Sequence, residues 1–90
     1  MSFEIVKLED VRNEILVDVR EANEFAMGYF GEAINMPLSK LNLSIDVMQK
    51  FDKNATYVVY CVKGLRAKKA AEMMHADGFE NVCLLDRGYA

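Results

Sequence analysis

The chain has 90 residues, enough for one domain with a modest core that folds without disulfides. A net charge of −3 with 52% hydrophobic residues gives no basic character that would suit nucleic acid. No apolar run approaches the ~20 residues that cross a bilayer, and Met1-Ser2-Phe3-Glu4 does not open a secretory leader, so neither a membrane nor a nucleic-acid partner is expected.

In chain order, Phe3 to Lys7 alternates Phe3 and Ile5 against Glu4 and Val6, the pattern of a short edge strand. Leu8 and Val11, three apart, predict one helical turn, and Asn13-Glu14 a turn before a buried strand at Ile15 to Val19. Asp18 closes that strand. Its carboxylate suits loop backbone and the cap of the next helix, with Arg20 pairing to Glu24; alternatively both residues shape and charge a site at the strand's end. Ala22, Phe25 and Ala26 predict a short helix over Glu21 to Met27, with Gly28 as the residue past its end. A third strand at Ala33 to Asn35 stops at Pro37, which lacks the N–H a strand needs. Between Ser39 and Asn54 the expected element is a short amphipathic helix, with Leu41, Ile45 and Met48 on one side and Ser39 or Ser44 as its cap. Asp52-Lys53-Asn54 is a turn.

The most informative stretch follows. Tyr57 to Tyr60 is a β-branched and aromatic run that predicts a buried strand. From Arg66 the pattern becomes helical, with Ala67, Ala70, Ala71 and Met74 on one face up to Ala76 or Asp77, then Gly78 as a stop. Cys61 thus stands in a tight loop between a strand's carboxyl end and a helix's start, where open α/β sheets bind ligands. A thiol attacks as the thiolate. Free N–H groups at the helix start, the charges of Lys63 and Arg66, and the torsional freedom of Gly64 all favour an anion there. The opposing reading is an inert core cysteine. Lys68 and Lys69 are expected on the solvated helix face, where their field still favours a small anion. His75 sits in the helix's last turn, too far along to serve Cys61 as a base. A fifth strand spans Asn81 to Leu85 and holds Cys83 as a buried bystander, a disulfide to Cys61 being the alternative. The two cysteines lack metal-ligand or Cys-x-x-Cys spacing, so the expected compartment is reducing and cytoplasmic, with no metal and no cofactor.

Cys61-x-x-Gly64-x-Arg66 after an apolar strand resembles the active loop of single-domain rhodaneses, the thiosulfate sulfurtransferases. Three further segments are similar to that family, in family order: Leu16-Val17-Asp18-Val19-Arg20-Glu21 with Glu24-Phe25; Gly28-Tyr29-Phe30-Gly31-Glu32-Ala33-Ile34-Asn35-Met36-Pro37-Leu38; and Gly78-Phe79-Glu80-Asn81-Val82 with Leu84-Leu85. Tyr29 replaces the family's usual His, and Arg87-Gly88 stands where Gly-Gly is usual, followed in the family by a Trp and a final helix. The resemblance implies one rhodanese-like α/β domain over residues 1–90, either minimal or cut short at its end, with a central, mostly parallel five-stranded sheet flanked by helices on both faces.

It also implies the chemistry. Phosphatases and arsenate reductases of this fold place five residues between Cys and Arg; here there are four, a smaller cradle that suits a sulfane sulfur better than a phosphoryl group. The expected catalytic residue is Cys61, which forms a persulfide from a small anionic donor such as thiosulfate and passes the sulfur to a thiol or acceptor protein. Lys63, Gly64, Leu65 and Arg66 are the expected substrate-binding residues, Asp18 and Arg20 their support, and Arg66 either contacts the donor or holds the loop through Glu24 or Asp18. The expected state is a monomer or weak dimer. The rival reading is a non-catalytic rhodanese-like interaction or regulatory module, which usually lacks the cysteine.

Overall fold

The computed structural model describes residues 2–43 and 51–89. Its strands are β1 (Ile5–Val6), β2 (Ile15–Asp18), β3 (Ile34–Asn35), β4 (Thr56–Tyr60) and β5 (Asn81–Leu85). Among the described residues two α-helices join them, α1 (Ala22–Ala26) and α2 (Leu65–Ala76), with 3-10 turns at Leu8–Asp10 and Leu38–Leu43. The strands form one five-stranded sheet in the order β1-β5-β4-β2-β3, and every pairing is parallel.

The alternation of a strand assigns each side chain to a face. Val17, Val19, Tyr57 and Val59 turn towards α2, whose Ala67, Ala70, Ala71 and Met74 are buried, as their spacing predicts. The small alanines let the helix lie close to the sheet. Leu16, Val58, Tyr60, Cys83 and Leu85 face the other way. Leu8 from the first 3-10 turn, Phe25 from α1, Phe30 and Tyr89 cover them. Both faces are therefore clad by helical elements.

The ends of α2 follow the sequence. Asp77 is its C-cap and Gly78, at φ +99°, turns the chain left-handed, so the Gly78 N–H donates to His75 O and the Phe79 N–H to Met74 O. At the edge strand Ile5 is 59% exposed, while Val6 packs against the second core cluster. The expected helix around Leu41 begins as the 3-10 turn, with Leu41 buried; Ser44, Ile45 and Met48 lie outside the described residues. Ser39 does not cap it, because its hydroxyl donates to the Glu21 carboxylate at 2.8 Å. Among the described residues no helix is long and apolar enough to cross a membrane.

Candidate active site

β2 and β4 are central neighbours, and Asp18 pairs with Tyr60 in register. Their carboxyl ends therefore emerge together, and the Cys61 loop springs from one of them. Cys61 is 2% exposed. The chain turns at Gly64, which has φ +93° and ψ −18° and is the N-cap of α2. That turn aims two backbone donors back at the sulfur: the Gly64 N–H lies 3.1 Å from Sγ and the Ala67 N–H 3.4 Å. Ala67 is the third residue of α2, whose N–H an N-cap side chain ordinarily satisfies. Here the Cys61 sulfur takes that place, at the positive end of the helix. The first turn of α2 holds no acid to cancel that field.

Among the described residues Cys61 lines two hollows. One of about 330 Å³ is bounded by Cys61, Val62, Lys63, Leu65 and Arg66, on the outer side of the loop. The other, about 290 Å³, lies between the loop and the chain's last segment, with Ile5, Asp86 and Gly88 in its wall. Lys63 and Leu65 are exposed. Arg66 is not free: its Nη1 and Nη2 donate to Glu24 Oε1 and Oε2 at 2.8 and 3.2 Å. Of the two roles its sequence position leaves open, the structure displays the loop-holding one. Glu24 also accepts the Glu21 N–H, closing a capping box on α1. Arg66 and then the Glu21 N–H hold the Glu24 carboxyl down at about 2, and Glu24 in turn raises the pKa of Arg66.

Asp18 and Arg20 lie deeper. Asp18 is fully buried and Arg20 is 4% exposed. Asp18 accepts the Arg20 backbone N–H at 2.9 Å and its guanidinium at 2.7 Å, and Arg20 Nη2 also donates to Gly28 O at 2.6 Å. The expected Arg20–Glu24 pair is thus replaced by Arg20–Asp18, because a fully buried carboxylate needs the nearest cation. Capping of α1 falls to Glu21 rather than Asp18. Asn35 pins the end of β2, donating its side-chain amide to Asp18 O and Arg20 O at 3.0 and 2.9 Å.

The contribution that sequence reasoning missed comes from the chain's end. The Tyr89 N–H donates to Cys61 O at 2.9 Å. A Cβ on Gly88 would stand 1.7 Å from Val62 O, so only glycine fits beneath the loop there. The Tyr89 ring lies 4.6 Å from the Arg20 guanidinium and edge-on to Phe30 at 4.9 Å. Residues 88 and 89 form the loop's floor and connect it to the Asp18–Arg20 pair. A glycine and an aromatic just past the last strand were the available signal.

Other candidates fall away from the site. Tyr29, in the family's His position, stacks on Phe25 at 4.1 Å and is half exposed. Tyr60 is buried and accepts the Phe30 N–H at 3.1 Å; burial pushes its phenol far up. His75 meets the Phe3 ring edge-on near the far end of α2. Cys83 and Cys61 are both free thiols in different core clusters, so they form no disulfide, and burial pushes the Cys83 thiol up.

A parallel α/β sheet that presents a cysteine on a six-residue Cys-to-Arg loop at a helix start is the arrangement of the rhodanese-like class of fold. The chain belongs to the rhodanese-like domain family, whose profile it matches over residues 4–90. It is 38% identical over 77 residues to a tRNA uridine(34) hydroxylase of Xanthomonas campestris, a match covering 82% of this chain and 30% of that protein. Among solved structures, a thiosulfate sulfurtransferase of Pseudomonas aeruginosa is 32% identical with a TM-score of 0.82, covering 94% of this chain and 17% of that one. A single-domain sulfurtransferase of Saccharomyces cerevisiae shares the fold at a TM-score of 0.81 and 24% identity, covering 98% of this chain and 86% of that one.

Proposed function

We propose that this domain transfers a sulfane sulfur from thiosulfate or a similar anionic donor to a thiophilic acceptor through a persulfide on Cys61. The observation that carries the reading is the Cys61 sulfur accepting the Gly64 and Ala67 N–H groups at the start of α2. Donors placed there stabilise negative charge on sulfur without any rearrangement during the reaction.

In the first step the Cys61 thiolate attacks the outer sulfur of thiosulfate. A new S–S bond forms, the S–S bond of the donor breaks, and its electron pair leaves with sulfite. The persulfide anion keeps the charge the thiolate had. In the second step a nucleophile takes the outer sulfur and the Cys61 thiolate is restored. The nucleophile begins as an anion, so no general base is needed, in keeping with His75 lying near the far end of α2. Lys63 attracts the donor, while Arg66 fixes the loop through Glu24. This chain spans 25% to 30% of the length of the hydroxylase relatives it matches.

Intact-protein mass after incubation with thiosulfate tests the reading. Wild type is expected to gain the mass of one sulfur atom and lose it to cyanide as thiocyanate appears. Cys61→Ala is expected to gain nothing. No gain on wild type at any donor concentration would overturn the thiosulfate route.

A further inference from the structure

Two sets of cations stand out among the described residues. Arg12, Arg20, Lys53, Arg66 and Arg87 each hold a carboxylate or carbonyl partner. Lys7, Lys63, Lys68 and Lys69 are exposed, and among the described residues none of the four has an ion-pair or hydrogen-bond partner. Lys7 follows β1, while the other three lie at the mouth of the Cys61 loop or in the opening turns of α2, where a cation opposes the helix dipole. Helix stability does not explain that placement.

Leu65 stands among them. It opens α2 and is 80% exposed. Lys68 and Lys69 follow it by three and four positions, so the three side chains share one outward face. Lys63 and Leu65 both border the hollow above Cys61. An apolar anchor with a charged rim is the make-up of a protein interface. Cys61 itself is 2% exposed, so an acceptor has to project its thiol into the hollow while its surroundings rest on the rim.

We propose that Lys63, Leu65, Lys68 and Lys69 form a docking surface for an acidic protein segment that presents a cysteine, and that this cysteine accepts the sulfur. The inference rests on the sulfur-transfer reading. The unpaired lysines call for carboxylates, and the rim residues include no aromatic ring on which RNA bases could stack. In the transfer step the acceptor thiol gives its proton to the outer sulfur of the Cys61 persulfide anion, and the thiolate so formed attacks that sulfur. The S–S bond to Cys61 breaks, Cys61 leaves as the thiolate, and the acceptor carries the new persulfide with its proton.

The test uses protein loaded with thiosulfate and freed of sulfite, with loading read by mass. Three cysteine peptides of equal length then compete as acceptors, flanked by Asp and Glu, by Ser and Gly, or by Lys. The acidic peptide is expected to accept sulfur about tenfold faster than the neutral one at low ionic strength. That advantage is expected to vanish near 1 M salt, where screening acts over ~3 Å. The double variant Lys68→Glu with Lys69→Glu suits the helix dipole better than wild type and so keeps the fold, which a melting curve checks. It is expected to load fully at saturating thiosulfate yet lose the preference for the acidic peptide. Loading followed by equal rates for all peptides, or by fastest transfer to the basic one, overturns this inference and leaves the sulfur-transfer reading intact. Absence of loading overturns both. An RNA oligonucleotide that binds wild type but not the double variant, together with equal peptide rates, assigns the rim to RNA and overturns the proposal.

Discussion

Arg66 and Glu24 meet through two hydrogen bonds, 2.8 and 3.2 Å long, and so tie the start of α2 to α1. The arginine of the reactive loop is thereby anchored on the helix that follows the neighbouring strand. Arg66→Lys removes the fork and Glu24→Gln removes the charge. Each is expected to lower the rate of persulfide formation about tenfold, through a loop that no longer holds the Gly64 and Ala67 donors on the sulfur. Stopped mass sampling after thiosulfate addition measures it; an unchanged rate in both variants would free Arg66 from this role.

The same pair predicts a response to acid. The Glu24 carboxyl is held at about 2, below its ordinary value of 4.5. A depressed pKa contributes stability in full above the unfolded value and loses it as pH falls through the folded one. The melting-temperature gap between wild type and Glu24→Gln is therefore expected to be constant above about pH 5, to narrow below it, and to close near pH 2. A gap that widens on acidification would contradict the assignment.

Asp18→Asn leaves the Arg20 guanidinium, 5% exposed in its side chain, without its counter-charge. The expected loss is about 3–5 kcal/mol, because the partner remains buried and unpaired. Replacing both, as Asp18→Leu with Arg20→Met, is expected to recover much of that loss. Urea midpoints of the three proteins decide it, and a double variant no better than the single one would point to a role beyond pairing.

At Gly64 the constraint is torsional, since a Cβ there would meet nothing within 4 Å. Gly64→Ala is expected to cost about 1–2 kcal/mol from φ alone, and Gly64→Asn less, because Asn tolerates left-handed torsions. Sulfur loading should fall in the same order. Equal losses for Ala and Asn would mean that space, not φ, governs the site.

Gly88 and Tyr89 are constrained by space instead. Gly88→Ala drives a methyl into the Val62 carbonyl and is expected to destabilise by about 1–3 kcal/mol while distorting the loop. Tyr89→Ala removes the ring from Arg20 and Phe30, for about 2 kcal/mol. Tyr89→Phe keeps both ring contacts and is expected to load sulfur like wild type. If Phe is as impaired as Ala, the phenol oxygen rather than the ring matters.

What the sequence revealed were the features whose cause is local. The unbroken β-branched and aromatic run Tyr57 to Tyr60 reports a strand buried on both faces, and the spacing of Ala67, Ala70, Ala71 and Met74 reports a helix's buried face. Gly64 and Gly78 mark the left-handed turns at the two ends of α2, and Cys61 falls between strand and helix. Features set by distant partners were less legible. One reading paired Arg20 with Glu24, but at a strand exit Arg20 folds back on Asp18. Phe3 to Lys7 was legible as an edge strand, but not that Ile5, on the apolar side of its alternation, is 59% exposed. Gly88 shows no local need for glycine; its constraint is the Val62 carbonyl one strand away.

The position of β5 bears on how the molecule comes into being. Of the five strands it comes latest in sequence, yet it lies between β1 and β4, and β1 pairs with β5. During synthesis β1 emerges before the other four and waits, while β2 and β4 have each other once Tyr60 is out. Cys61 follows at once, but Gly88 and Tyr89 leave the ribosome later by on the order of a few seconds. For that interval the nascent chain carries the thiol without the floor that shapes its loop. A polypeptide released before Gly88 would keep the cysteine and lack the site.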